Sequence, residues 1–194
     1  MSDTSSPRRG RPPLADPDAV ARAALHLWAT RGYAATSWQD IADATGLSVR
    51  TLIRRFGSQA GVLAAGVDAA VERLRAALAS APEGGDPAEV LRTAVAASVS
   101  RGDEMRAGGL DLMRVVAAEP ALQAWQREAY RPWIEVLAEA IRVRVPGFDA
   151  DTAYALACGY EAIANATMQA WARSGGEGAP ADRVEAALAH IALA

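Results

Sequence analysis

The stretch Thr36-Ser-Trp-Gln-Asp-Ile-Ala-Asp-Ala-Thr-Gly-Leu-Ser-Val-Arg-Thr-Leu-Ile-Arg-Arg-Phe56 decides how this chain is read. It divides at Gly46 into two short helical segments. Ser37 caps the first, because its hydroxyl can accept a hydrogen bond from an otherwise unpaired backbone N–H at the helix start. Ile41, Ala42 and Thr45 recur at the spacing of one buried helical face. Gly46 stands where that helix must stop, since glycine enters the left-handed cap conformation without a steric cost. Ser48 caps the second segment, and Leu52 with Phe56 gives it an apolar face. Val49, Arg50, Ile53 and Arg54 are left pointing outward, with Thr51 at the margin. Two helices joined by a tight turn, the second of them basic, form the helix-turn-helix pattern, whose second helix enters the major groove of DNA.

The order extends upstream through Val20-Ala-Arg-Ala-Ala-Leu-His-Leu-Trp-Ala-Thr-Arg-Gly-Tyr33. The whole string resembles the DNA-binding signature of the TetR family of transcriptional regulators. It runs from the Ala23-Ala24 pair through Arg31-Gly-Tyr33, Thr36-Ser37, Ile41-Ala42, Gly46-Leu-Ser48 and Arg54-Arg-Phe56, and the likeness reaches about Leu63. It implies an all-α protein: a three-helix head on residues 16–60, then a long fourth helix leading into a body on 61–194, about nine helices altogether. It further implies a homodimer whose two recognition helices enter successive major grooves of a palindromic operator in double-stranded DNA. The implied role is that of a repressor released by a small-molecule effector. In the family, the first turn of the fourth helix offers a lysine to a phosphate, and an aromatic residue stands in the middle of the recognition helix. Here those positions are Gln59 and Ile53, which shifts the expected phosphate contacts toward Arg54, Arg55 and the helix N-terminus.

Contact chemistry follows from the residue types. Arginine can bond a guanine bidentately through O6 and N7, and Arg50, near the start of the recognition helix, is the candidate for that contact. Val49 suits a thymine methyl group. Thr36, Ser37, Trp38, Ser48 and Thr51 are candidates for phosphates, which set register rather than sequence. Residues 1–15 show no periodicity and read as a disordered basic arm. Within it, Arg9 and Arg11 flank Gly10 before Pro12, a pattern suited either to a narrow A·T-rich minor groove or to a solvated tail that raises affinity for any duplex.

Net charge is −3, which taken alone argues against a nucleic-acid binder. The split along the chain removes the objection. Residues 1–60 carry eight arginines against five acids, whereas 61–194 carry twelve against eighteen, so a basic contact module sits on an acidic body. Cys158 is the single cysteine, which excludes an internal disulfide and fits a reducing, cytoplasmic setting. No long uncharged apolar run predicts a membrane span, and the polar N-terminus has no apolar core of a secretory signal.

Beyond the head, helical periodicity predicts segments to about Ala81, from Pro87 to about Ser100, and from Asp103 through Ala118. A long helix is expected from Pro120 to about Val145, kinked by Pro132. A further helix should reach Arg173, and a last one should occupy residues 181–193. On the penultimate helix, Ala155, Gly159, Ala162, Ala166 and Ala170 form a face of small residues that lets another helix approach closely. With Val184, Leu188 and Ile191 of the last helix, this face suits the four-helix dimer bundle that the resemblance implies, or else packing within one subunit. Tyr154, Cys158, Glu161, Asn165 and Met168 share another face of the same helix. With Met113, Trp125 and Trp133 they are candidates to line a pocket for a small apolar or aromatic effector, or to form ordinary core.

An enzyme needs a constellation, and none is written here. His26 and His190 lie far apart, no glycine-rich phosphate loop follows a strand, and no zinc or cofactor spacing occurs. Two rivals to an effector-controlled regulator remain at this level: a DNA-binding architectural protein indifferent to ligands, and a protein-interaction module of the same fold.

Overall fold

The computed structural model describes residues 16–99 and 104–191, which are helical apart from turns and caps. Ten α-helices run in order: α1 Pro17–Arg31, α2 Trp38–Thr45, α3 Val49–Phe56, α4 Ala64–Ala79, α5 Pro87–Val99, α6 Glu104–Ala118, α7 Pro120–Ala129, α8 Arg131–Arg144, α9 Ala150–Arg173 and α10 Pro180–Leu188. A 3-10 turn, Ala60–Leu63, leads into α4.

Local chemistry sets the ends of the first three helices. The Asp18 N–H donates to the Asp16 carboxylate, with Pro17 in the first helical position, where its missing N–H costs nothing. Ser37 and Asp40 form a reciprocal capping box: the Asp40 N–H donates to Ser37 Oγ at 3.2 Å, and the Ser37 N–H donates to the Asp40 carboxylate at 2.8 Å. Gly46 ends α2 in the left-handed conformation, at φ 68°. Gly61 is required for a different reason: a Cβ there would come within 2.0 Å of the Phe56 carbonyl oxygen, so the 3-10 turn could not fold back against the end of α3.

Two apolar clusters organise the protein. One gathers Val20, Ala24, Leu27 and Trp28 of α1, Ile41 and Ala42 of α2, Leu52 of α3, and Ala60, Val62 and Leu63 of the 3-10 turn. It also takes in Val115 and Val116 of α6 and Leu122 of α7. The three-helix head therefore does not close its core by itself. The second, larger cluster joins α4, α5, α6, α8, α9 and α10 through Leu74, Leu91, Met113, Trp133, Leu137, Tyr160, Trp171 and Leu188. Arg73 and Arg144 tie helices together through backbone: Arg73 donates to the Ser98 carbonyl, and Arg144 to the Leu78 carbonyl at the last turn of α4.

Two sequence expectations change here. The long helix over 120–145 is two helices, broken at Tyr130 (φ −82°, ψ 0°), with Pro132 inside the first turn of α8. Proline lacks the N–H and its ring crowds the carbonyl four residues back, so a new helix start accommodates it where a continuous helix would not. That break accounts for a tenth helix where about nine were expected. The last helix ends at Leu188. Its Val184 and Leu188 lie fully inside the protomer's own core, so they form no external face, contrary to the expectation for a dimer interface. Ile191 is half-buried against the same core.

Candidate nucleic-acid interface and effector cleft

Leu52 anchors α3. It is the only buried residue of that helix, at 0% exposure, with Val49 and Phe56 packed beside it on the head core. Arg50, Ile53, Arg54 and Arg55 are exposed, Ile53 at 46%, while Val49 and Thr51 are half-buried. Among the described residues, the Arg50 and Arg54 guanidinium groups have no ion pair or hydrogen bond, although seven ion pairs occur elsewhere. Arg55 stacks over the Phe56 ring, 5.6 Å from its centroid. The start of α3 is rigid: Ser48 Oγ accepts the Thr51 N–H at 3.1 Å and pairs with the Thr51 hydroxyl at 2.8 Å.

The base of α2 is braced in the same way. Arg31 at the end of α1 bonds Asp40 at 3.0 Å. Hydrogen bonds from the Ser37 hydroxyl and backbone, with the Arg31 cation beside it, hold the Asp40 carboxyl below the usual carboxylate range. Ser37 is exposed beside this brace, and Trp38 is half-buried against the head core.

Thr36 is a correction. It is 4% exposed, and its hydroxyl donates to the Gly32 carbonyl at 2.8 Å, so it stabilises the turn between α1 and α2 and has no group left for a phosphate. Gln59 also turns inward. Its amide N–H donates to the Thr36 carbonyl at 2.9 Å, and its amide oxygen is buried without a partner among the described residues. Where the resemblance puts a phosphate-binding lysine, this chain has a strap from the 3-10 turn to the α1–α2 turn. The candidate arm residues Arg9 and Arg11 lie outside the described residues.

Behind the head, α4, α5, α6, α7, α8 and α9 surround a cleft with about 570 Å³ of empty space, counting its open mouth. Of the eight pocket candidates, Met113, Trp133, Glu161, Asn165 and Met168 line it. Three do not. Trp125 packs against the head cluster, Tyr154 is 43% exposed on the outside, and Cys158 packs against the main core. The five-residue stripe keeps to one face of α9 but extends about 21 Å along it, so its N-terminal members lie beyond the end of the space that its C-terminal members enclose. Arg73, Ser98, Gln126 and Tyr130 complete the polar lining, and sequence reasoning missed them. Arg73, Ser98 and Gln126 come from three different helices and Tyr130 from the break between α7 and α8, so only the fold brings them together. The Trp133 indole N–H donates to Ser98 Oγ at 3.2 Å, and Ser98 in turn donates to the Val95 carbonyl at 2.7 Å.

One helix links the two regions. Leu112 and Met113 of α6 line the cleft, whereas Val115 and Val116 of the same helix belong to the head core. A second hollow lies between α1 and α6, lined by Trp28, Gly32, Tyr33, Arg114 and Glu119. The outer face of α9 is bare: Ala155, Gly159, Ala162, Ala166 and Ala170 are all exposed in the protomer. Among the described residues, no helix is long and apolar enough to cross a membrane.

Comparison with known proteins agrees with this geometry. Residues 21–65 match the family model of bacterial regulatory proteins of the TetR family, and residues 85–193 match that of the MftR C-terminal domain. The chain is 28% identical over 144 residues to the Mycobacterium tuberculosis protein assigned as the mycofactocin biosynthesis transcriptional regulator MftR, covering 74% of this chain and 73% of that one. It is 38% identical over 68 residues to the HTH-type transcriptional repressor ComR of Escherichia coli, which is 35% of this chain and 32% of ComR. In fold it resembles the fatty acid degradation regulator FadR of Bacillus halodurans, with a TM-score of 0.65 at 16% identity over 90% of this chain and 96% of that one. One family model on the reading head and another over more than half of the chain leave a single assignment: the protein belongs to the TetR family, whose members are transcriptional regulators and not enzymes.

Proposed function

We propose that this regulator is a homodimeric repressor that reads a palindromic operator through α3 and leaves it when a small molecule fills the cleft. The observation that carries the reading is the outward face of α3, where Arg50 and Arg54 are exposed without a partner among the described residues, beside an exposed Ile53. An unpaired guanidinium on a helix face is available for a guanine edge or a phosphate, and Leu52 and the Ser48–Thr51 cap hold its backbone in place. Arg50, second in the helix, is assigned to a base. Val49 and Ile53 are assigned to apolar base or sugar edges, and Ser37, Trp38, Ser48, Thr51, Arg54 and Arg55 to backbone positioning.

The functional units proposed are an arm over 1–15, a reading head over 16–60 and an effector and dimerisation body over 61–194. The dimer is assigned to the bare small-residue face of α9. Coupling between cleft and head runs through α6, because a ligand that displaces Leu112 or Met113 moves the helix that also fills the head core at Val115 and Val116. The effector needs only to favour one head separation over the other.

The test is fluorescence anisotropy on duplexes from the DNA flanking the coding region, against scrambled duplexes, at two salt concentrations. Salt-dependent preference for one palindrome is expected. Arg50→Ala should weaken that complex by about 1–3 kcal/mol while weakening binding to scrambled DNA far less. Equal weak binding to every duplex, or an Arg50→Ala loss shared equally by all sequences, would overturn the assignment.

A further inference from the structure

The cleft's polar lining is unevenly committed, and that narrows the ligand. The Trp133 N–H and the Ser98 hydroxyl bond each other and the Val95 carbonyl. The Arg73 guanidinium donates twice to the Ser98 carbonyl, at 2.8 and 3.0 Å. The Asn165 amide oxygen accepts from Gln169 at 3.3 Å. The Gln126 amide has no such bond among the described residues, and neither does Glu161, the one acid among the described lining residues. Its side chain lines the cleft from the middle of α9, and among the described residues its carboxyl has no hydrogen bond and no ion pair. Around it the walls are apolar and deformable: Ala70, Val99, Leu112, Met113, Ala164 and Met168. Tyr130 and Trp133 add two tilted rings whose centroids lie 6.4 Å apart. Burial pushes the Glu161 carboxyl above its ordinary range, and the cation on the same lining, Arg73, is turned to the Ser98 carbonyl.

A half-buried carboxyl among apolar walls, with no protein partner among the described residues, is partly desolvated, and a cation supplied by a ligand offsets that cost. Aromatic faces and methionine sulfurs accept the same kind of ligand, through cation–π attraction and through adaptable packing around an irregular body. A carboxylate or phosphate ligand would instead place like charge beside Glu161. We infer that the effector is an apolar or aromatic molecule bearing a protonated nitrogen, which binds with that nitrogen against Glu161. The inference rests on the cleft being the effector site, and it names the chemistry of what enters there.

The experiment is a titration of the full chain without DNA, following tryptophan fluorescence and melting temperature. Three probes share one body: phenylbutylamine, phenylbutanol and phenylbutyrate. The ammonium compound should bind most tightly and the carboxylate least, and Glu161→Gln should weaken the ammonium compound about 10- to 100-fold with little change for the alcohol. Without ligand, Glu161→Gln should melt no lower than the parent, because it removes a half-buried acid that has no partner among the described residues while keeping its shape. A lower melting temperature would give Glu161 a structural partner and overturn the inference. Equal or reversed affinities along the series would overturn the ligand class and leave the cleft as an effector site. Failure of all three probes to bind would overturn both, while DNA reading would still stand or fall on the operator experiment.

Discussion

Gly159→Glu should turn a dimeric protein into monomers and cost it operator binding. Glycine inside a helix is less stable than alanine by about 1 kcal/mol, so a glycine in the middle of the 24-residue α9 calls for a reason. The protomer offers none. A Cβ at 159 would meet nothing within 4 Å, and the position is exposed. Its neighbours on that face, Ala155, Ala162, Ala166 and Ala170, are small and exposed as well. A second helix lying close along this face would account for the residue types at all five positions, and a glutamate between two such helices would be buried without a partner. That places the expected loss at about 3–5 kcal/mol of dimerisation free energy. Sedimentation velocity should report a monomer with an unchanged circular dichroism spectrum. Anisotropy should report a loss of operator affinity larger than that of Arg50→Ala, because half-sites one helical turn apart are then no longer held together. A Gly159→Glu protein that stays dimeric would move the interface off α9.

Leu52→Ala should destabilise the head cluster, including its seam with α6 and α7. The side chain is the one fully buried residue of α3, with Val49 and Phe56 packed beside it on the head core. Truncating a leucine in a well-packed core costs about 2–5 kcal/mol, and a small core has little margin to absorb it. Thermal or urea unfolding should show the head melting before the body, with operator binding lost in the same range. Arg50→Ala is the contrast: it should reduce affinity at unchanged stability. A loss below about 1 kcal/mol for Leu52→Ala would mean that the capping contacts of Ser37, Gly46 and Ser48, rather than packing, hold the head.

How far each feature could be read from the sequence depended on how local its cause was. Helix starts at Asp16, Ser37 and Ser48 and the stop at Gly46 were legible, because each is settled by residues within about one turn. The break at Tyr130 was half legible: Pro132 announced a disturbance, but whether a chain bends or restarts depends on the packing of α7 and α8 against different neighbours. Orientation of faces was less legible still. A helical stripe says which residues travel together but not which way they turn, and Val184 and Leu188 face inward where an outward face was expected. Thr36 misled because a hydroxyl at a helix entrance serves a phosphate or a turn carbonyl equally well. Arg73, Ser98, Gln126 and Tyr130 left no signal, since only the fold brings them together; the Trp133–Ser98 bond alone spans 35 positions.

Val115, Val116 and Leu122 complete the core of a head from which they are some fifty residues removed in sequence. A head cut free after Leu63 would therefore expose an apolar hollow where those three side chains now sit. The reading head is in this sense not a transplantable part. Moving it onto the body of a relative requires carrying a matching patch on α6 and α7, and any exchange of heads between such regulators is constrained by a surface that never touches DNA.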